Sequence, residues 1–102
     1  MVAIKEFPNV KLVKFPALDG VDDALFTKAL EHFFKKVGAD CELQLSHKEY
    51  AKGGLKVQHE IHGTLTFDGK SFFAEHEDWQ LLETVQNVLK KLEKEFVKDK
   101  KK

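Results

Sequence analysis

The chain contains no arginine: all 17 of its basic residues are lysine. This argues against planar, bidentate grips on phosphate or carboxylate, which a guanidinium fork makes and an ammonium point charge does not. Cysteine is nearly absent as well. The single Cys41 can form no internal disulfide, and between Asp40 and Glu42 its setting is acidic, the opposite of what a nucleophilic thiolate needs. It reads as a small buried residue on a strand, and a reducing, cytoplasmic compartment is expected. No stretch approaches the ~20 consecutive apolar residues of a membrane span. No basic N-terminal region precedes an apolar run, so no signal peptide is expected.

Catalytic patterns are also missing. There is no HExxH, paired cysteine, glycine-rich phosphate loop or nucleophile elbow. Ser46 and His47 are adjacent, which on a strand turns them to opposite sides, and Ser71 sits beside a hairpin turn. Nothing supplies a nucleophile, a base and an orienting group together, so a non-enzymatic protein is expected. The histidines look no more cooperative. His59 and His62 fall on opposite faces of one strand, while His32, His47 and His76 lie on separate elements. No metal site and no cofactor are therefore expected.

What is present suffices for one core. Hydrophobic residues make up 42% of 102 positions, and nine are phenylalanine. Residues 1–8 read as an N-terminal arm or an extra edge strand, and 9–97 as a single domain. The segment 98–102 reads as a disordered lysine-rich tail. Asn9 to Phe15 is a short strand, with a slip of alternation at Leu12-Val13 that suggests a bulge. A helix follows, capped by Asp19 or Asp22. Phe26, Leu30, Phe33 and Val37 form its apolar stripe, widened by Leu25, Ala29 and Phe34, and Gly38 is its C-terminal cap.

Cys41, Leu43 and Leu45 then alternate with polar residues, a strand with one buried face. Tyr50 to Gly54 reads as a loop. Alternation resumes from Leu55 to Phe67, Asp68-Gly69 is a hairpin turn, and Ser71 to Glu75 is the partner strand. Of the adjacent Phe72 and Phe73 one must point away from the core; cover by the arm or a loop is expected for it. The last helix starts near Asp78. Leu82, Val85, Leu89, Leu92 and Phe96 form its stripe. The expected fold is α+β, a two-layer sandwich in the order β-α-β-β-β-α. Three antiparallel strands form its centre, and both helices pack on one face of the sheet.

The formal net charge is zero, with 17 acids against 17 lysines, but its distribution is uneven. Lys91, Lys94 and Lys98 share one face of the last helix and Lys90 borders it. Lys28, Lys35 and Lys36 lie on the polar side of the first. Such rows offer sequence-independent, salt-sensitive contacts to phosphates.

Residues 67–94, FDGKSFFAEHEDWQLLETVQNVLKKLEK, resemble the short hibernation-promoting factors, also called ribosome-associated inhibitors or the sigma-54 modulation family. Ala74-Glu75 at the end of a strand and Lys91-Leu92-Glu93-Lys94 on the following helix carry the likeness, at the family's spacing. The element order over residues 9 to 98 agrees with it. The resemblance implies a translation-silencing factor that binds the small ribosomal subunit and its rRNA. Lys91 and Lys94 stand at the family's basic positions; Lys90, Lys98, Lys28, Lys35 and Lys36 extend the surface by helix geometry. With the sequence ending after this domain, the extra dimerisation domain of the family's long form is not expected. The alternative is a protein-interaction or self-assembly module on the same scaffold. It would use the exposed sheet face or pair the N-terminal edge strand into a homodimer.

Overall fold

The chain runs β1 (Val10–Val13), α1 (Gly20–Val37), β2 (Glu42–Lys52), β3 (Lys56–Phe67), β4 (Lys70–Asp78) and α2 (Leu81–Lys100). The computed structural model describes residues 9–15, 20–38, 40–52 and 56–100. The expected arm over 1–8, the Asp19 cap and the Gly53-Gly54 turn lie outside them. The architecture is α+β in the order β-α-β-β-β-α.

The sheet has four strands in the order β1-β2-β3-β4. Antiparallel pairing joins β2, β3 and β4, as the alternation predicts, but β1 lies parallel to β2. A parallel neighbour needs a crossover connection, and α1 supplies it. The expected bulge does not form. Val10 pairs with Leu43 and the register advances without a break to Val13 opposite Ser46. Asn9 pins the start of this pairing: its side-chain amide donates to the Cys41 carbonyl (2.7 Å), and its own carbonyl accepts from Leu43 N–H (2.9 Å).

Strand alternation decides what enters the core. Leu43, Leu45, Ile61 and Leu65 are buried, and Phe26, Leu30, Phe33 and Val37 of α1 meet Val85, Val88, Leu89, Leu92 and Phe96 of α2 above them. Each such side chain contributes about 1.5–3 kcal/mol on burial. Phe96 is packed edge-on by Phe67 and Phe72, with ring centroids 5.4 and 5.9 Å away. Gly63 lets α2 approach the sheet: a Cβ there would sit 2.6 Å from Val88 Cγ1 and 3.0 Å from Leu92 Cδ1. Cys41 is buried, its thiol donating to the Val37 carbonyl.

The turns follow their residues. Gly38 closes α1 at φ +95°, its N–H donating to the Phe34 carbonyl. Asp68 and Gly69, both at positive φ, form the two-residue β3–β4 turn that matches strand twist.

Several boundaries differ from expectation. Tyr50 lies within β2, paired with Gln58, because strand pairing continues to Lys52 opposite Lys56. On β4 the pairing runs past Glu75 to Asp78. Asp78 therefore ends a strand, where its carboxylate accepts from Trp79 N–H. The helical bonding of α2 begins at the Gln80 carbonyl, which accepts from both the N–H and the hydroxyl of Thr84. At its other end α2 continues through Lys98 to Lys100, into the segment expected as a disordered tail. Leu25, expected to widen the buried stripe of α1, is 45% exposed.

Candidate nucleic-acid interface

Consecutive residues of a helix point about 100° apart, and that rotation separates the lysines of α2. Its buried stripe faces the sheet, α1 lies along one flank and β4 along the other. Lys90 turns towards α1 and Lys91 towards β4.

On the α1 flank an open groove runs between the helices. Leu25, Ala29, Phe33 and Leu89 give it apolar walls, and Lys28, His32, Lys36, Gln86, Lys90 and Glu93 give it a polar rim. Lys28, Lys36 and Lys90 thus come together from two elements. Lys36 reaches the Glu93 carboxylate at 3.4 Å, so one positive charge of the rim is answered within it. Both partners are partly solvated, and such a pair is worth about 0–1 kcal/mol.

On the β4 flank the expected row of Lys91, Lys94 and Lys98 is not kept together. Lys91 Nζ donates to the Glu75 carbonyl at 2.7 Å and lies 3.3 Å from His76 Nδ1. It is drawn down onto the sheet because Glu75 and His76 run directly beneath that side of the helix. Lys94 and Lys98 remain exposed on α2, and Lys35 is exposed on α1. Lys70 Nζ sits 3.1 Å from the Asp99 carboxylate, fastening the hairpin to the last turn of α2. Two participants were not among the expected residues: His32 in the groove and Lys70 on the other flank. His32 was legible as a polar-side residue of α1; the Lys70–Asp99 contact depends on where α2 ends and was not.

The uncovered face of the sheet has the opposite character. Alternation puts Glu42, Glu60, Glu75 and Glu77 there against Lys11 and Lys48 among the described side chains. A chain of contacts crosses it. The Tyr50 hydroxyl donates to Glu60 Oε1 (2.9 Å), His62 Nε2 meets the same oxygen (3.2 Å), and His62 Nδ1 meets Glu75 Oε2 (3.3 Å). The Tyr50 hydrogen bond, aided by His62 and opposed by partial desolvation, holds the Glu60 carboxyl below its ordinary range. The same bond raises the Tyr50 phenol. Phe73 stands on this face 71% exposed, so the cover expected for the outward phenylalanine is not there; Phe72 turns inward onto Phe96. The helices carry Asp22, Asp23, Glu31, Glu83, Glu93, Glu95 and Asp99 among their lysines, so the attraction for an anionic partner is local to the groove where Lys28, Lys36 and Lys90 meet.

A crystal structure of Thermus thermophilus Protein Y N-terminal domain superposes on this chain with a TM-score of 0.58, covering 88% of this chain and 94% of that one at 14% identity. The two share a fold. No protein-family model and no curated protein sequence matches the chain. At this identity the likeness to the Protein Y domain concerns backbone architecture, and the lysine positions rest on the geometry above.

Two groups of side chains have the composition of metal ligands: His47, Glu49 and His59 on the helix-covered face, and Glu60, His62 and Glu75 on the open face, with ligand atoms within 4.8 Å of one another in each. His59 and His62 do lie on opposite faces, as the sequence predicts. His47 and His59, however, are brought together, because Glu49 pairs with His59 and His47 with Ile61. His32, His47 and His76 do lie on separate elements, but the inference that no two histidines meet is corrected. The signal was legible: His47, Glu49 and His59 all belong to the inward set of the alternation, and only the β2–β3 register was needed to join them. Burial pushes the His47 imidazole below its ordinary pKa, against a hydrogen bond to the Lys14 backbone that favours the charged ring; His59 adds to the lowering.

Proposed function

We propose that the protein is a non-enzymatic, ribosome-associated RNA-binding regulator that engages the small subunit through lysines of both helices. The observation that carries this reading is the convergence of Lys28, Lys36 and Lys90 on one open groove between α1 and α2. Lys35, Lys94 and Lys98 are further exposed lysines on the same two helices. Phosphates are the fitting partner because ammonium groups on flexible stems recognise charge without demanding a fixed geometry. Two further observations support it. Residues 67–94 resemble the hibernation-promoting factors, and the shared fold is that of a protein of the same hibernation and sigma-54 modulation group. Silencing of idle ribosomes is the activity that this resemblance implies.

The test is co-sedimentation with purified small ribosomal subunits across a salt series. Two to four lysine–phosphate contacts predict that log K falls with log salt at a slope of about −2 to −4. A Lys28→Glu/Lys90→Glu double variant should lose the association. If the variant pellets like the parent, or salt has no effect, the reading is wrong.

Phe73 favours a second reading, a protein-interaction module using the open sheet face. It is a large, exposed aromatic on β4, which forms an edge of the sheet. Light scattering of the parent and of Phe73→Ser distinguishes the two. A Phe73-dependent dimer, with no subunit binding, would favour assembly.

A further inference from the structure

We propose that His47, Glu49 and His59 form a zinc-binding site with a fourth coordination position open to water. All three stand on the helix-covered face of the sheet, where β2 and β3 continue beyond the apolar part of the core. His47 Nε2 lies 2.9 Å from His59 Nδ1, and the rings are nearly parallel with centroids 5.1 Å apart. In a tetrahedral site with Zn–N bonds of about 2.0–2.1 Å, neighbouring ligand atoms are roughly 3.3 Å apart. Accepting the ion replaces this hydrogen bond: the ring that carries the shared proton shifts to its other tautomer, leaving both nitrogens as donors to zinc, and the pair opens by roughly 0.4 Å. Glu49 stands directly across from His59, and its exposed carboxylate is free to rotate towards both nitrogens.

The surroundings are those of a held ligand and not of a chance surface pair. His47 is only 4% exposed. The Lys14 backbone lies beside its ring. Lys14 itself adopts φ +61°, a conformation L-residues seldom take, in the turn that follows β1. Phe15, with its ring centroid 5.6 Å from that of His47, forms an apolar wall beside the site.

The donor set selects the ion. Two imidazoles and one carboxylate suit zinc, whereas magnesium and calcium take oxygen ligands and copper(I) prefers sulfur. The open-face group Glu60, His62 and Glu75 is the internal contrast. There the two carboxylates meet different nitrogens of the same ring, so one ion cannot use both contacts, and the His62 side chain is 44% exposed.

The experiment is isothermal titration of the full chain, previously treated with chelator, with zinc sulfate alone. One zinc per chain is expected, with a Tm rise of about 10 °C at hundredfold saturation. X-ray absorption at the zinc edge should report two imidazoles. His59→Gln should weaken binding at least about tenfold. Glu49→Gln, at an exposed position that leaves packing intact, should weaken it too, while His62→Gln should leave it unchanged. Absence of saturable binding overturns the proposal. So does binding that survives both His59→Gln and Glu49→Gln in folded protein, or that is lost only in His62→Gln.

Discussion

Lys90 and Lys91 are neighbours in sequence and separate in purpose. Lys90 borders a groove open to solvent, shared with Lys28 and Lys36 of α1. Lys91 is folded onto β4, where its ammonium bonds the Glu75 carbonyl. Glu75 in turn meets His62, His62 meets Glu60, and Glu60 accepts from Tyr50. One flank of α2 therefore offers Lys90, with Lys28 across the groove, to a partner while Lys36 is shared with Glu93, and the other is a tether continued into the polar contacts of the sheet. A positive charge counts as a binding element only if its own fold has not already engaged it.

The largest expected effect breaks both flanks together. Gly63→Ala places a Cβ 2.6 Å from Val88 Cγ1, so α2 must lift or its side chains must leave their rotamers. Overpacking of this kind costs about 1–3 kcal/mol. Urea denaturation should show it as a lower midpoint at unchanged slope. An unaltered midpoint would mean that α2 does not sit this close to β3.

The next prediction divides the flanks. Charge reversal of Lys28 and Lys90 should reduce small-subunit affinity by tenfold or more, because each lost phosphate contact also removes its counterion release. Lys91→Met should change affinity far less. It should instead cost about 0.5–1.5 kcal/mol of stability, the ordinary range for one hydrogen bond. If Lys91→Met abolishes binding while stability is unchanged, the assignment of the two flanks is reversed. Smaller still is the coupling between Lys36 and Glu93, about 0–1 kcal/mol by double-mutant cycle. Glu93→Gln should, if anything, strengthen anion binding by releasing Lys36.

This division marks where sequence reasoning stops. The stripes Phe26-Leu30-Phe33-Val37 and Val85-Leu89-Leu92-Phe96, the Asp68-Gly69 turn and the inward set of β2 and β3 are local periodicities, readable from composition along one element. They suffice for the α+β order. The parallel placement of β1 is not local: it depends on how α1 crosses the sheet, and four residues carry too little pattern to reveal it. The fate of Lys91 depends on which β4 carbonyl lies beneath it, a tertiary fact absent from helical spacing. Lys91, Lys94 and Lys98 keep helical spacing and all three are exposed, yet Lys91 alone has its ammonium engaged by the Glu75 carbonyl. His47 and His59 failed for a related reason, since twelve residues separate them in sequence and only the strand register makes them neighbours.

The smallest effect concerns the far end of the tethered flank. Glu60 is held below the ordinary carboxylate range first by the Tyr50 hydroxyl and then by His62. A carboxyl with a depressed native pKa releases its proton more readily when folded. Its stabilising contribution is complete above the ordinary carboxylate range and is lost as pH falls through the native value. Tyr50→Phe removes the first cause and leaves the second. The Glu60 carboxyl, followed by carbon-detected NMR titration, should move up towards its ordinary value, and the acid limb of the stability curve should become shallower. An unmoved Glu60 would show that His62 alone holds it. The Tyr50 link would then be inert, and the polar chain running from Lys91 through Glu75 would end at the imidazole.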